Sequence, residues 1–139
     1  MLEWRSAMNL LIVDDEYLVV EEVVTVTDWE LLGITEIYSA TNAVSAVRIL
    51  NEKKIDIMIC DIEMPQTDGL ELSKKAKENF PDLEIVMLTS HAEFNYVRNA
   101  LRYGCYDYLL KPVMEDDIIK VMKNLVTKIE RERHQAQLQ

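Results

Sequence analysis

Met8-Asn9-Leu10-Leu11-Ile12-Val13-Asp14-Asp15-Glu16 is the stretch from which the fold is read. Leu10–Val13 is apolar without alternation, the pattern of a strand covered by helices on both faces, which is how parallel sheets are built. Three acids follow at once, so this strand delivers carboxylates to its carboxyl end. Ile57-Met58-Ile59-Cys60 repeats the pattern and runs straight into Asp61.

Working outward, five short β-prone runs recur, at Asn9–Val13, Glu36–Ala40, Asp56–Cys60, Glu84–Thr89 and Tyr106–Leu110. Each is followed by a segment with helical periodicity, near Glu16–Trp29, Asn42–Glu52, Gly69–Phe80, Ala92–Tyr103 and Glu115–Glu132. Pro81 stops the third helix, Gly104 caps the fourth, and the acids around Asp117 favour the start of the fifth through the helix dipole. Alternating elements with right-handed crossovers predict an α/β, doubly wound sandwich. By analogy with flavodoxin-like (βα)5 folds, the five-stranded parallel sheet has the order 2-1-3-4-5. The ligand crevice of such sheets lies beyond the carboxyl ends of the strands, so Asp14-Asp15, Asp61, Thr89-Ser90 and Lys111-Pro112 are expected to converge there.

The 139 residues suit one domain with a continuous core, and 49% hydrophobic with 29% charged residues is the balance of a folded, helix-rich chain. A net charge of −10 opposes binding to nucleic acid or anionic lipid through a broad basic surface. Cys60 and Cys105 stand in or beside apolar runs without metal-ligand spacing and read as reduced, buried thiols. No apolar run approaches the length of a membrane span and residues 1–7 carry no signal core, which predicts a cytoplasmic protein with no membrane partner. Residues 1–7 read as a leader, vector-derived or an alternative start, before a domain over 8–127.

Three carboxylates in one crevice repel each other and call for raised pKa values or a bound cation. Oxygen-only ligands suit Mg²⁺. Lys111, at the end of an apolar strand, needs an anion to face. Thr89 and Ser90 offer hydroxyl and N–H donors of the kind phosphoryl oxygens accept. Singly these positions have bland readings: a solvated acid pair, a surface lysine, a threonine chosen for β-propensity. Their joint order, each at a strand end, is what makes them informative.

Leu11-Ile-Val-Asp-Asp-Glu16, Cys60-Asp-Ile-Glu-Met-Pro-Gln-Thr-Asp-Gly-Leu-Glu71, Leu88-Thr-Ser90 and Tyr106-Asp-Tyr-Leu-Leu-Lys-Pro112 together resemble the motif set of bacterial response-regulator receiver domains, over residues 8–127. Ala92-Glu-Phe-Asn-Tyr-Val97 and Tyr103-Gly-Cys-Tyr106 are similar to receivers that precede AraC-type helix-turn-helix domains.

The resemblance implies that Asp61 is the phosphoacceptor, taking a phosphoryl group from a sensor histidine kinase. It implies Mg²⁺ held by Asp14, Asp15, Asp61 and the backbone carbonyl of Glu63. Thr89, Ser90 and Lys111 are the implied phosphoryl contacts, Thr89 and Tyr108 the switch residues, and Lys111-Pro112 a cis peptide. Glu63 and His91 occupy variable positions near the pocket mouth, where plain solvent exposure is the simpler reading. Thr67 and Ser90 depart from the usual residues without removing a catalytic group.

The last helix carries an apolar stripe, Ile118, Ile119, Val121, Met122, Leu125, Val126 and Ile129, which core packing mostly accounts for. Residues 128–139 are polar, helix-prone and resemble a linker helix toward an output domain. A phosphorylation-dependent homodimer is expected through the fourth helix, fifth strand and fifth helix, where Val97 and Leu101 accompany Arg98, Arg102, Asp107, Asp116 and Lys120. Two alternatives belong to other classes: a Mg²⁺-dependent aspartyl-phosphate phosphatase, and a degenerate, non-phosphorylated receiver-like interaction module. The first lacks paired aspartates at Asp61 and room for a cap; the second should lack Asp61, Thr89 or Lys111. A flavin site has no glycine-rich phosphate loop to support it.

Overall fold

The computed structural model describes residues 7–65, 67–90 and 94–138, with the side chains of Thr67, Phe94 and Tyr96 left aside. Strands β1 (Met8–Val13), β2 (Ile34–Ala40), β3 (Ile57–Asp61), β4 (Glu84–Thr89) and β5 (Asp107–Leu110) form one five-stranded sheet in the order β2-β1-β3-β4-β5. All its pairings are parallel. Helices α1 (Tyr17–Thr25), α2 (Ala43–Glu52), α3 (Gly69–Asn79), α4 (Phe94–Arg102) and α5 (Glu115–Gln137) alternate with them. The expected doubly wound architecture is therefore present. One addition was not expected: Glu63–Met64 and Thr67–Asp68 pair as a small antiparallel hairpin between β3 and α3.

The unbroken apolar runs are divided between two cores. Leu10, Ile12, Ile57, Ile59, Val86 and Leu88 face α1 and α5, whereas Leu11, Val13, Met58, Cys60, Ile85 and Met87 face the side of α2 and α3. A strand buried on both faces has no solvent side on which a polar residue would be free, so alternation disappears from its sequence.

Gly104 caps its helix as expected, and Asn42 and Asp68 are N-caps beyond those expected. Asn42 accepts the Ser45 N–H at 2.8 Å, Asp68 accepts the Leu70 N–H at 2.8 Å, and Gly104 adopts φ +90°, open to glycine without strain. The first helix is shorter than the expected Glu16–Trp29. It stops at Thr25, and Trp29–Leu32 forms a separate 3₁₀ turn. The cause is Trp29: its buried indole turns back and donates to the Val23 carbonyl at 3.0 Å, satisfying a carbonyl at the helix end. The expected start of α4 at Ala92 lies outside the described residues.

The last helix is longer than the expected Glu115–Glu132. Ile118, Met122, Leu125, Val126 and Ile129 are buried in the α1–α5 core, and Ile119 and Val121 pack partly against it, so the stripe is core. The helix runs unbroken through residue 127, where the domain was expected to end, to Gln137. No helix among the described residues is long and apolar enough to cross a membrane.

Candidate functional site

Parallel register brings the strand ends level. Val13 pairs with Cys60, Cys60 with Met87, Asp61 with Leu88, and Thr89 with Leu110. The residues immediately following β1 and β5, and those ending β3 and β4, therefore open on one crevice, as the topology of the sheet requires.

Asp14 is fully buried and accepts the Glu16 N–H on Oδ1 at 2.9 Å. Its Oδ2 faces the Lys111 ammonium at 2.7 Å as an ion pair, yet accepts no hydrogen bond of good geometry among the described residues. Asp61 is also buried, and its Oδ1 accepts the Glu63 N–H at 3.2 Å and lies 3.3 Å from Lys111 Nζ. Lys111 thus bridges the two buried carboxylates, and the anion that its position in the sequence demanded is both of them. Its peptide bond to Pro112 is cis.

The electrostatics follow from this geometry. Burial, and then the charge of Asp14, push the Asp61 carboxyl up to about 6, although Lys111 and the Glu63 N–H pull the other way. Burial lowers the affinity of the Lys111 amine for its proton, but Asp14 and Asp61 outweigh it and hold the ammonium above its ordinary value. One lysine offsets only part of two neighbouring negative charges. The pocket retains a deficit of positive charge, which favours a cation or protonation.

Asp14, Asp15 and Glu16 bring carboxylate oxygens within 4.8 Å of one another. Asp15 is half-buried and Glu16 exposed, so the group opens to solvent on one side. Asp61 stands outside that group and is joined to it through Lys111. Hard oxygen donors beside an incompletely satisfied buried carboxylate fit a Mg²⁺-type ion.

Thr89 is buried at the end of β4, its carbonyl accepting the Lys111 N–H at 2.9 Å, and Ser90 next to it is exposed. Glu63 is exposed, and its backbone N–H donates to Asp61 Oδ1. Tyr108 is half-buried, opposite Met87 in the register of β4 and β5. His91 and the side chain of Thr67 lie outside the described residues.

Gly69 is a site residue that motif reading passed over. A Cβ built there would lie 1.9 Å from the Asp61 carbonyl oxygen, and its N–H donates to the Ile62 carbonyl at 2.9 Å. Its absent side chain lets α3 start directly against the backbone of Asp61. The available signal was Asp68-Gly69 at a helix start, where any other small residue would serve unless something approached closely. The thiols of Cys60 and Cys105 are buried and pushed up, that of Cys105 to about 11, so neither is a nucleophile for this site.

Residues 10–123 match the family described as response regulator receiver domain. The chain is 34% identical over 124 residues to the uncharacterized transcriptional regulatory protein YesN of Bacillus subtilis, covering 89% of this chain and 34% of YesN. The receiver domain of AraT, a response regulator from Geobacillus stearothermophilus, superimposes with a TM-score of 0.79 at 29% identity, covering 95% of this chain and 99% of that one. A two-component transcriptional regulator AraC from Clostridium phytofermentans has the same fold, with a TM-score of 0.83 at 23% identity and coverage of 91% and 98%. The chain spans about a third of the length of YesN and about half of a second curated relative, an uncharacterized response regulatory protein of Staphylococcus epidermidis.

Proposed function

The chain belongs to the response-regulator receiver family, a family of signalling modules related here to transcriptional regulators, and from that premise we propose that Asp61 is its phosphoacceptor. The observation that carries the proposal is the buried Asp61 carboxylate at the end of the central strand, flanked by buried Asp14 and bridged to it by Lys111 at 3.3 and 2.7 Å.

One Asp61 oxygen attacks phosphorus, the P–N bond to the histidine of a sensor kinase breaks, and the bonding pair leaves on the imidazole nitrogen. The product is an acyl phosphate. Asp14, Asp15 and Asp61, with the Glu63 carbonyl, would hold Mg²⁺, which when bound neutralises charge on phosphoryl oxygens. Lys111 pairs with one phosphoryl oxygen, and the Thr89 hydroxyl and Ser90 N–H bind others. The domain assists its own phosphorylation and dephosphorylation without being an enzyme acting on other substrates.

Because those contacts form only on phosphorylation, they bias one conformation over another. Thr89 and Tyr108 carry the change to the face of α4, β5 and α5, where Leu101 and Leu110 are exposed, and this face forms a homodimer. The covalently linked output is an AraC-type helix-turn-helix domain acting on DNA in the cytoplasm, as the resemblance of Ala92–Val97 and Tyr103–Tyr106 implies.

The test is incubation with Mg²⁺ and either acetyl phosphate or beryllofluoride, followed by intact mass, for the wild type and Asp61→Asn. A wild-type adduct that the variant lacks is expected. No adduct on the wild type, or an equal one on the variant, overturns the assignment.

A further inference from the structure

At the opposite edge of the sheet from the phosphorylation crevice, two acids stand at strand starts where the sequence is otherwise apolar. Asp56, just before β3, and Glu84, the first residue of β4, are 5% and 6% exposed. Carboxylates so buried require partners. Asp56 Oδ2 accepts the Asn9 N–H at 2.7 Å, and its Oδ1 pairs with the Arg133 guanidinium. Glu84 pairs with Lys128 on one oxygen and lies 3.6 Å from Lys77 of α3 on the other. Glu84, then Glu132, hold the Lys128 ammonium above its ordinary pKa.

Both distant partners, Lys128 and Arg133, belong to α5, beyond the family-matched residues, which end at 123. Apolar burial holds this part of the helix only as far as Ile129. Ile129 is its last buried apolar residue; Ala136 and Leu138 are exposed, and a groove of about 740 Å³ lies between this helix and the α2–β3 loop. Past Ile129, the Arg133–Asp56 pair reaches across from the helix to the start of β3. An Arg–carboxylate pair with one partner buried and already fixed by a backbone N–H loses little freedom on forming.

We propose that the C-terminal part of α5 is latched to the rear edge of the sheet by the Lys128–Glu84 and Arg133–Asp56 pairs, so that residues 128–133 belong to this domain and the direction in which the helix leaves it is fixed. The latch connects α5 to β1, β3, β4 and α3 at the edge remote from Asp61, and it holds whether or not Asp61 is a phosphoacceptor.

Hydrogen exchange on the full chain tests it. Arg133→Gln removes the pair from its more exposed side, leaving Asp56 bonded to Asn9, and is the variant that should keep its fold. Its amides at 132–137 are expected to exchange roughly tenfold or more faster than wild type at low salt, while those of the sheet are unchanged. Arg131→Gln, the same charge loss at an exposed neighbour, should leave protection intact. High salt should move wild type toward the Arg133→Gln pattern. Equal protection in wild type and Arg133→Gln, or equal loss in Arg131→Gln, overturns the latch.

Discussion

Asp61 shows how far a residue's chemistry depends on its neighbours. Its carboxyl stands at about 6 against an unfolded value near 3.9, raised by burial and by Asp14. A raised folded-state pKa means that the protonated form is favoured in the fold. The corresponding stability is complete below the unfolded value and is lost as pH rises through about 6. Asp61→Asn, which removes the charge, should therefore be more stable than wild type at pH 7.5 in chelator, by roughly 1–2 kcal/mol once solvent screening is allowed for. The advantage should shrink through pH 6 and vanish near pH 4. Urea titrations across that range measure it; a difference independent of pH would refute the electrostatic origin. The pocket is thus destabilising when empty and ionised, which is the condition under which a cation or a phosphoryl group has most to offer it.

At the scale of the element, the start of α3 is coupled to the end of β3 by Gly69. An added Cβ 1.9 Å from the Asp61 carbonyl oxygen meets backbone, which cannot rotate away as a side chain can. Gly69→Ala should cost about 1–3 kcal/mol of unfolding free energy and slow adduct formation from acetyl phosphate, because the Asp61 peptide must shift. Lys75→Ala, on the exposed face of the same helix, should do neither. Chemical denaturation with mass-detected phosphorylation separates the two, and an unaffected Gly69→Ala would show that α3 is not seated on that peptide. Helix α1 teaches a related lesson about boundaries. Periodicity continues through Trp29, but the indole bond to Val23 ends the helix at Thr25, an outcome that depends on where the ring finds a burial site.

At the scale of the molecule, a switch requires that charge at one edge alter a surface elsewhere. Sedimentation of the chain with and without beryllofluoride should give the mass of a dimer only in the treated sample, and a mass unchanged over a wide concentration range would exclude association through α4, β5 and α5. The architecture behind that expectation is legible in the amino-acid sequence. Leu10–Val13 and Ile57–Cys60 declare a doubly covered parallel sheet, and the strand-end rule then brings Asp14, Asp61, Thr89 and Lys111 to one crevice. These inferences rest on periodicity and chain order, which are set by neighbours along the sequence. Pairings were not legible in the same way. That Lys111 bridges Asp14 and Asp61, that Gly69 makes room for a backbone, and that Arg133 reaches Asp56 across 77 residues are facts of closure. Sequence by itself determined which side chains arrive at each edge of the sheet. Only the tertiary structure decided which of them meet, because the distance between charges depends on how the layers pack, and packing is set by every element at once.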